Sequence, residues 1–235
     1  MRITLNIPLT SAIGVLFYVP IFFQVRGLST TQTGLRIIPE SVGASVGSLG
    51  AGIIMNKTGK YRMLGNFSVF ALLFGTGLLA TLDLRKPDWP ALIYIFLVGA
   101  GYGGMLTVTL LATIAAVDHE HQAVITSATY AFRSTGSTIG ITIVSAVYQN
   151  ILNTQLWKKF GNMEGAADEI KRIRDNLDEL RHLPSGWKAG VLDSYMDALR
   201  GVFLTALGIA VLALVSSSFM RQHTLHSTLT RESRE

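Results

Sequence analysis

Cysteine is absent from all 235 residues, which excludes disulfides, thiolate nucleophiles and cysteine-based metal sites together. Charge is scarce as well. Asp, Glu, Lys and Arg make up 15% of the chain, well below the roughly 25% usual in soluble domains. The charges gather in short gaps between apolar runs and in one long gap at 150–193. The net charge of +5 stands on no basic stripe, so no nucleic-acid partner is expected; surplus Lys and Arg is also what cytosolic membrane loops carry. No nucleophile–base pair, metal-ligand set or cofactor loop is legible, and the chain reads as a non-enzyme without cofactor or metal. Asp118, His119, Glu120 and His121 cluster potential ligands, but they lack the helical spacing that aims two imidazoles at one ion. Gly99, Gly101 and Gly104 mimic a dinucleotide-binding pattern, yet they lie inside an apolar run with no preceding strand. Asn56-Lys57-Thr58 matches a glycosylation sequon on what reads as the cytosolic face, where that modification does not occur.

What is abundant is apolar length. Hydrophobic residues are 49% of the chain and mean hydropathy is +0.40. A helix needs about 20 mostly apolar residues to cross roughly 30 Å of hydrocarbon, where only helices or closed barrels satisfy their backbone groups. The runs are too long for barrel strands. They predict an all-α integral membrane protein, a six-transmembrane-helix bundle in the lipid bilayer, with helices at about 6–25, 35–55, 64–82, 90–117, 123–148 and 199–220. No cleavage site follows the first run, so it reads as a retained helix. Arg2, Lys57, Lys60, Arg62, Arg221, Arg231 and Arg234 on one side outweigh Arg26, Arg36, Arg85 and Lys86 on the other. That bias places both termini in the cytosol, makes 150–193 a long non-cytosolic loop and 221–235 a cytosolic tail. Within the loop Ile170, Ile173, Leu177 and Leu180 recur at helical spacing between charged faces and predict an amphipathic helix ending near Leu183-Pro184-Ser185-Gly186.

Glycines mark where helices approach closely. Gly43, Gly47 and Ala51 recur at four-residue steps, Gly136 and Gly140 do the same, and Gly99, Gly101, Gly103 and Gly104 crowd one stretch. Such grooves serve tight packing or helices that slide during a transport cycle; both need the same small residues.

The segment Gly52-Ile53-Ile54-Met55-Asn56-Lys57-Thr58-Gly59-Lys60-Tyr61-Arg62 is a short loop with a helix-ending glycine and three cations. It resembles the signature gating loop of the major facilitator superfamily through Gly52, Asn56, Lys57, Gly59, Lys60 and Arg62, with Asn56 where the family often has aspartate. Phe17 to Gln24 followed by Gly27 to Pro39 resembles the opening of the C-terminal half of the fourteen-helix drug:proton antiporters. Phe132-Arg133-Ser134-Thr135-Gly136 with Gly140 is similar to their penultimate helix. Ser41 to Gly50 resembles fungal multidrug and vacuolar basic amino acid transporters in particular. The resemblance implies half of a major facilitator fold. Its implied activity is alternating-access transport, as proton-coupled antiport of a basic amino acid or amphipathic cation across a vacuolar or plasma membrane. The partners it implies are that small-molecule substrate, the proton and a missing N-terminal half.

Ionisable residues at membrane depth are functional candidates. Arg133 lies roughly 15 Å into its helix, near the midplane. It faces either the central pathway, paired with a carboxylate or substrate anion, or helix-end carbonyls in a packing role. Glu40 follows Pro39 about one turn inside its helix, where it attracts a cation or exchanges a proton, or reaches the non-cytosolic interface. Tyr18 and Gln24 are further pathway candidates, because the first helix of this half lines the cavity in the family. Two readings stay open: a transporter half, or a truncated membrane fragment that is inactive alone or acts by association.

Overall fold

The computed structural model describes residues 7–59, 61–84, 87–115, 121–163, 165–181, 183 and 186–218. They form α1 (Ile7–Val25), α2 (Thr30–Thr58), α3 (Arg62–Leu79), α4 (Trp89–Ala115), α5 (Gln122–Phe160), α6 (Ala166–Asp175), a 3-10 helix (Leu177–Arg181) and α7 (Trp187–Ser218). The expected N-terminal cation Arg2, the loop residues Lys60, Arg85 and Lys86, the cluster Asp118, His119 and Glu120, and the tail 221–235 lie outside the described residues. Among the described residues four helices are long and apolar enough to cross a membrane: Thr30–Thr58, Arg62–Leu79, Trp89–Ile114 and Trp187–Ser218. The apolar stretch Ala12–Val25 of α1 is shorter.

The described residues hold seven α-helices, α6 being the amphipathic one expected within 150–193, and the others begin and end where local chemistry, not hydropathy, decides. α2 starts five positions before its apolar run. There the Ser29 hydroxyl accepts from the Gln32 amide at 3.2 Å while the Gln32 side chain accepts from the Ser29 amide at 3.2 Å, a reciprocal cap. α5 runs past the expected end at 148 to Phe160 because Tyr148, Leu152, Leu156 and Phe160 continue one buried stripe while its other faces are polar. α7 likewise begins at Trp187, not near 199, so the gap at 150–193 is largely helical. The amphipathic helix inside it breaks at Asn176, whose backbone is extended (φ −140°, ψ 118°). Leu177 and Leu180 therefore fall on the 3-10 helix and not on α6. At 1.5 Å per residue the 10 residues of α6 cover about 15 Å, half a bilayer.

Two apolar cores hold the helices. The larger joins α1, α5, α6 and α7 through Phe22, Phe23, Tyr148, Leu156, Ile173 and Leu199, among others. Phe160 stacks on Trp187 with ring centroids 4.2 Å apart, and the Tyr195 hydroxyl donates to the Ile173 carbonyl at 2.5 Å, fastening α6 to α7. The smaller, around Ala51, Met55, Tyr61, Met105 and Val108, joins α2, α3, α4 and α7.

Between α2 and α4 the backbones themselves meet. A β-carbon added at Gly43 or Gly47 would strike the carbonyl oxygens of Phe96 and Ala100; one added at Gly99 or Gly103 would strike those of Glu40 and Ala44. On another face of α4, Gly101 lies against the Ser68 and Leu72 backbone and Gly104 against the Ser68 side chain. Ser48 and Thr107 share a 2.7 Å hydrogen bond across the α2–α4 seam. In lipid, where apolar burial drives helices together little, such close packing is the main attraction.

Gly52 offers the opposite case, because a β-carbon added there would meet nothing within 4 Å. Gly103→Leu is expected to lower the thermal midpoint of the purified protein strongly, since overpacking costs about 1–3 kcal/mol or more, whereas Gly52→Ala leaves it unchanged; fluorescence-detected size exclusion after heating reads both.

Candidate substrate pathway

The early start of α2 changes the position of Glu40. It lies ten residues after Thr30, not one turn, which at 1.5 Å per residue is about 15 Å into the helix. Its backbone carbonyl faces Gly99 of α4, and its side chain is half-buried on a small cleft between α1, α2 and α4. Ala12, Val15, Ile95 and Val98 give that cleft apolar walls, and Tyr102 of α4 lines it with Glu40. Among the described residues Glu40 makes no ion pair.

Arg133 is on α5, eleven residues after Gln122, so about 16 Å from that end of the helix. Its guanidinium carbon sits 5.1 Å from the Tyr130 ring centroid. Its buried Nε has no hydrogen-bond partner, so the packing alternative, bonding to helix carbonyls, is not what this nitrogen does. Tyr102 lines the same cleft as Glu40. Nothing in the sequence pattern singles it out, because a tyrosine in an apolar run reads as core.

α5 carries this arginine on a segment in which no residue from Gln122 to Ile139 is buried. Its hydroxyls need no partner from elsewhere, since Ser127, Thr129, Thr135, Ser137, Thr138 and Thr142 each donate to the carbonyl four residues back.

Tyr18 and Gln24 are not part of this group. Tyr18 is 7% exposed, its ring 4.8 Å from that of Tyr148, and belongs to the larger core. Gln24 lies at the end of α1 in a separate, wider cleft with Arg26, Leu180 and Lys188.

The arrangement is compatible with many membrane proteins, and comparison with known proteins decides between them. The family model described as Major Facilitator Superfamily matches residues 3–141, more than half of the chain. The chain belongs to the Major Facilitator Superfamily. Curated relatives include Multidrug resistance protein fnx1 of Schizosaccharomyces pombe, 33% identical over 92% of this chain and 42% of the relative. The Vacuolar membrane amino acid uptake transporter fnx2 of the same yeast is 28% identical over 90% of this chain and 37% of the relative. Vacuolar basic amino acid transporter 2 of Saccharomyces cerevisiae is 32% identical over 85% and 43%. The chain spans about two fifths of the length of these relatives.

Within this superfamily chain the Gly52–Arg62 segment joins α2 to α3. Asn56 and Lys57 are exposed at the end of α2. Gly59 ends that helix with φ +63°, and its amide donates to the Met55 carbonyl at 2.9 Å. Tyr61 is fully buried, and Arg62 Nη2 donates to the Ser218 carbonyl at 2.9 Å, capping α7. Ser217 donates to Asn66 one turn away, at 2.9 Å. The loop is therefore a tie between the ends of α2, α3 and α7.

At the opposite end Asp88 pairs with Arg36 and, at 2.6 Å, with Arg26, drawing together the ends of α1, α2 and α4. Partial burial lowers the pKa of Arg26 and Asp83 acts against it, but a guanidinium stays charged in either case. Asp83 also meets Arg200 of α7 at 3.5 Å.

Gly59→Ala forces an alanine into left-handed backbone, at a cost of about 1–2 kcal/mol, and Arg62→Ala removes a charge-assisted bond of similar size. Both are expected to lower the thermal midpoint, with the double variant near the sum; a thermal unfolding series in detergent checks this.

Proposed function

We propose that this chain supplies one half of the pathway of an alternating-access transporter for basic amino acids or amphipathic cations, exchanged for protons across a vacuolar or plasma membrane. The observation that carries this reading is a pair of charges that make no ion pair among the described residues, Glu40 and Arg133, each about 15 Å inside its helix, in a chain of the Major Facilitator Superfamily. Ionisable groups at that depth are expensive and mark ion or substrate paths. The names of the relatives support the substrate classes: one is a multidrug resistance protein, two are amino acid transporters.

In this reading α1, α2, α3, α4, α5 and α7 are the six membrane helices, both termini face the cytosol, and α6 with the 3-10 helix caps the non-cytosolic end. α5, with 39 residues, is about 58 Å long and reaches beyond a hydrocarbon layer of roughly 30 Å. Its second half then packs with α6 and the start of α7 outside the bilayer. The exposed face of α2, including Leu35, Ile38, Val42, Val46 and Leu49, and the unburied half of α5 are where the second half of the pathway rests. The spans covered in the relatives leave more than half their length for such a partner. The same coverage favours a second reading, in which the chain alone is an inactive fragment.

The test is uptake into proteoliposomes that hold this chain together with its partnering half. Arg133→Ala is expected to reduce uptake at least tenfold, the size of a lost charge-assisted contact of about 1.5–3 kcal/mol, and Glu40→Gln to remove the response to a pH gradient. Normal uptake by both Arg133→Lys and Arg133→Ala contradicts the pathway role of Arg133, and an intact pH response in Glu40→Gln contradicts proton coupling through Glu40. Uptake by the chain alone would establish that it acts without a further half.

A further inference from the structure

A cleft of about 500 Å³ lies at the C-terminal end of α1, and the proposed pathway makes no use of it. Three segments bring leucines to its wall: Leu28 follows α1, Leu177 and Leu180 sit on the 3-10 helix, and Leu192 is on the second turn of α7. Each packs against the larger core yet stays half-buried, so apolar surface is left facing the cleft. Arg26 and Lys188 line the same cleft, and none of the described residues that line it is acidic. Lys188 is exposed. Arg26 is tied to Asp88, but Asp88 is shared with Arg36, so two guanidiniums face one carboxylate and a positive charge is left over. The remaining acids nearby are turned elsewhere: Asp83 is engaged by Arg200, and Asp193 and Asp197 line a different cleft with those two and Lys159.

Depth decides what this cleft meets. With 19 residues, α1 is about 28 Å long, close to the roughly 30 Å of bilayer hydrocarbon. When α1 spans the bilayer its end, where Gly27 turns the chain with φ +90°, lies at the edge of the hydrocarbon, and Arg26 and the cleft lie at headgroup level. We propose that the cleft holds an anionic phospholipid of the non-cytosolic leaflet, its phosphate between Arg26 and Lys188 and the first carbons of its acyl chains against the leucines. The guanidinium fork suits phosphate oxygens and the ammonium adds a point charge, while lipid carbons take the leucine surface out of water. A phosphatidylcholine brings its own cation toward the two basic residues. A soluble phosphate leaves the leucines uncovered. An anionic lipid satisfies both walls, and it bridges the end of α1 to the 3-10 helix and the start of α7.

This inference goes beyond the proposed function: it rests on α1 crossing the bilayer but not on transport, and binding alone reads it. The test is native mass spectrometry of the purified full chain in detergent, titrated with dioleoylphosphatidylglycerol, dioleoylphosphatidylcholine or glycerol 1-phosphate. The first bound phosphatidylglycerol is expected to bind about fivefold or more tightly than phosphatidylcholine, the worth of one basic residue against an anionic headgroup. Lys188→Glu removes the preference and Lys188→Arg keeps it. Lys171→Glu makes the same charge change at an exposed position of α6 and leaves the preference intact. Equal binding of the two lipids by the unsubstituted chain overturns the proposal without needing any variant to fold. A loss in Lys171→Glu as large as that in Lys188→Glu assigns the preference to overall surface charge and overturns the cleft. Glycerol 1-phosphate that binds as tightly as phosphatidylglycerol makes the cleft a phosphate site and overturns the lipid. Uptake measurements have no part in these outcomes, so the transport reading stands or falls separately.

Discussion

The rest of the structure depends on α4 lying against two helices at once with no side chain between the backbones. Gly99 and Gly103 admit the carbonyls of Glu40 and Ala44 on α2, and Gly43 and Gly47 admit those of Phe96 and Ala100 in return. Gly101 does the same for the Ser68 carbonyl and Leu72 backbone of α3, while Gly104 admits the Ser68 side chain. Close approach of Cα–H groups to carbonyl oxygens adds a weak attraction at each contact, and the many atoms in contact supply dispersion. Because the seam is backbone on backbone, it sets the register of α2 against α4 to within one residue. That register puts Glu40 and Tyr102 on one cleft, and a single added methyl group at the seam would displace both.

The other elements are held differently. α5 and α7 meet through a stripe of large side chains, Val144, Tyr148, Leu152, Leu156 and Phe160 against Val191, Leu199 and Val202, but only in the second half of α5. Its first half, which carries Arg133, has no buried residue among Gln122 to Ile139. The molecule thus combines a close-packed body of α2, α3 and α4 with an arginine on the less buried half of α5. Ion pairs of Asp88 at one end of the bundle and the Arg62–Ser218 and Ser217–Asn66 bonds at the other fix the body's rims. In the proposed transport cycle it is motion of α5 against that body that would change the separation of Arg133 from Glu40.

Much of this is visible in the sequence because membrane physics leaves few options. Apolar runs of bilayer length announce α2, α3, α4 and α7, and glycine spacing announces the seam. Element ends are less legible: the Ser29–Gln32 cap outweighs the polarity of Thr30 to Gly34 and moves Glu40 deep into α2, while α5 hides its length behind hydroxyl side chains that bond their own helix. Tyr18 looks like a pathway residue from its place on the first helix, yet its face of α1 turns toward Tyr148 and the core, and only three-dimensional packing reveals that. Tyr102 is the reverse case: an unremarked aromatic in an apolar run, it gains meaning from the cleft it shares with Glu40. Lone Arg133 is conspicuous because hydrocarbon makes any arginine conspicuous.

The central claim is that α2 and α4 move as one body while the arginine-bearing half of α5 moves against it. The absence of cysteine allows paired spin labels at Leu49 and Ile93, on α2 and α4, and at Ile93 and Val124, on α4 and α5, all exposed positions. Pulsed electron–electron resonance in nanodiscs is predicted to give a narrow Leu49–Ile93 distance that L-arginine and pH leave unchanged, and an Ile93–Val124 distance that shifts with them. A Leu49–Ile93 distance that broadens or shifts as much as the other would contradict the account.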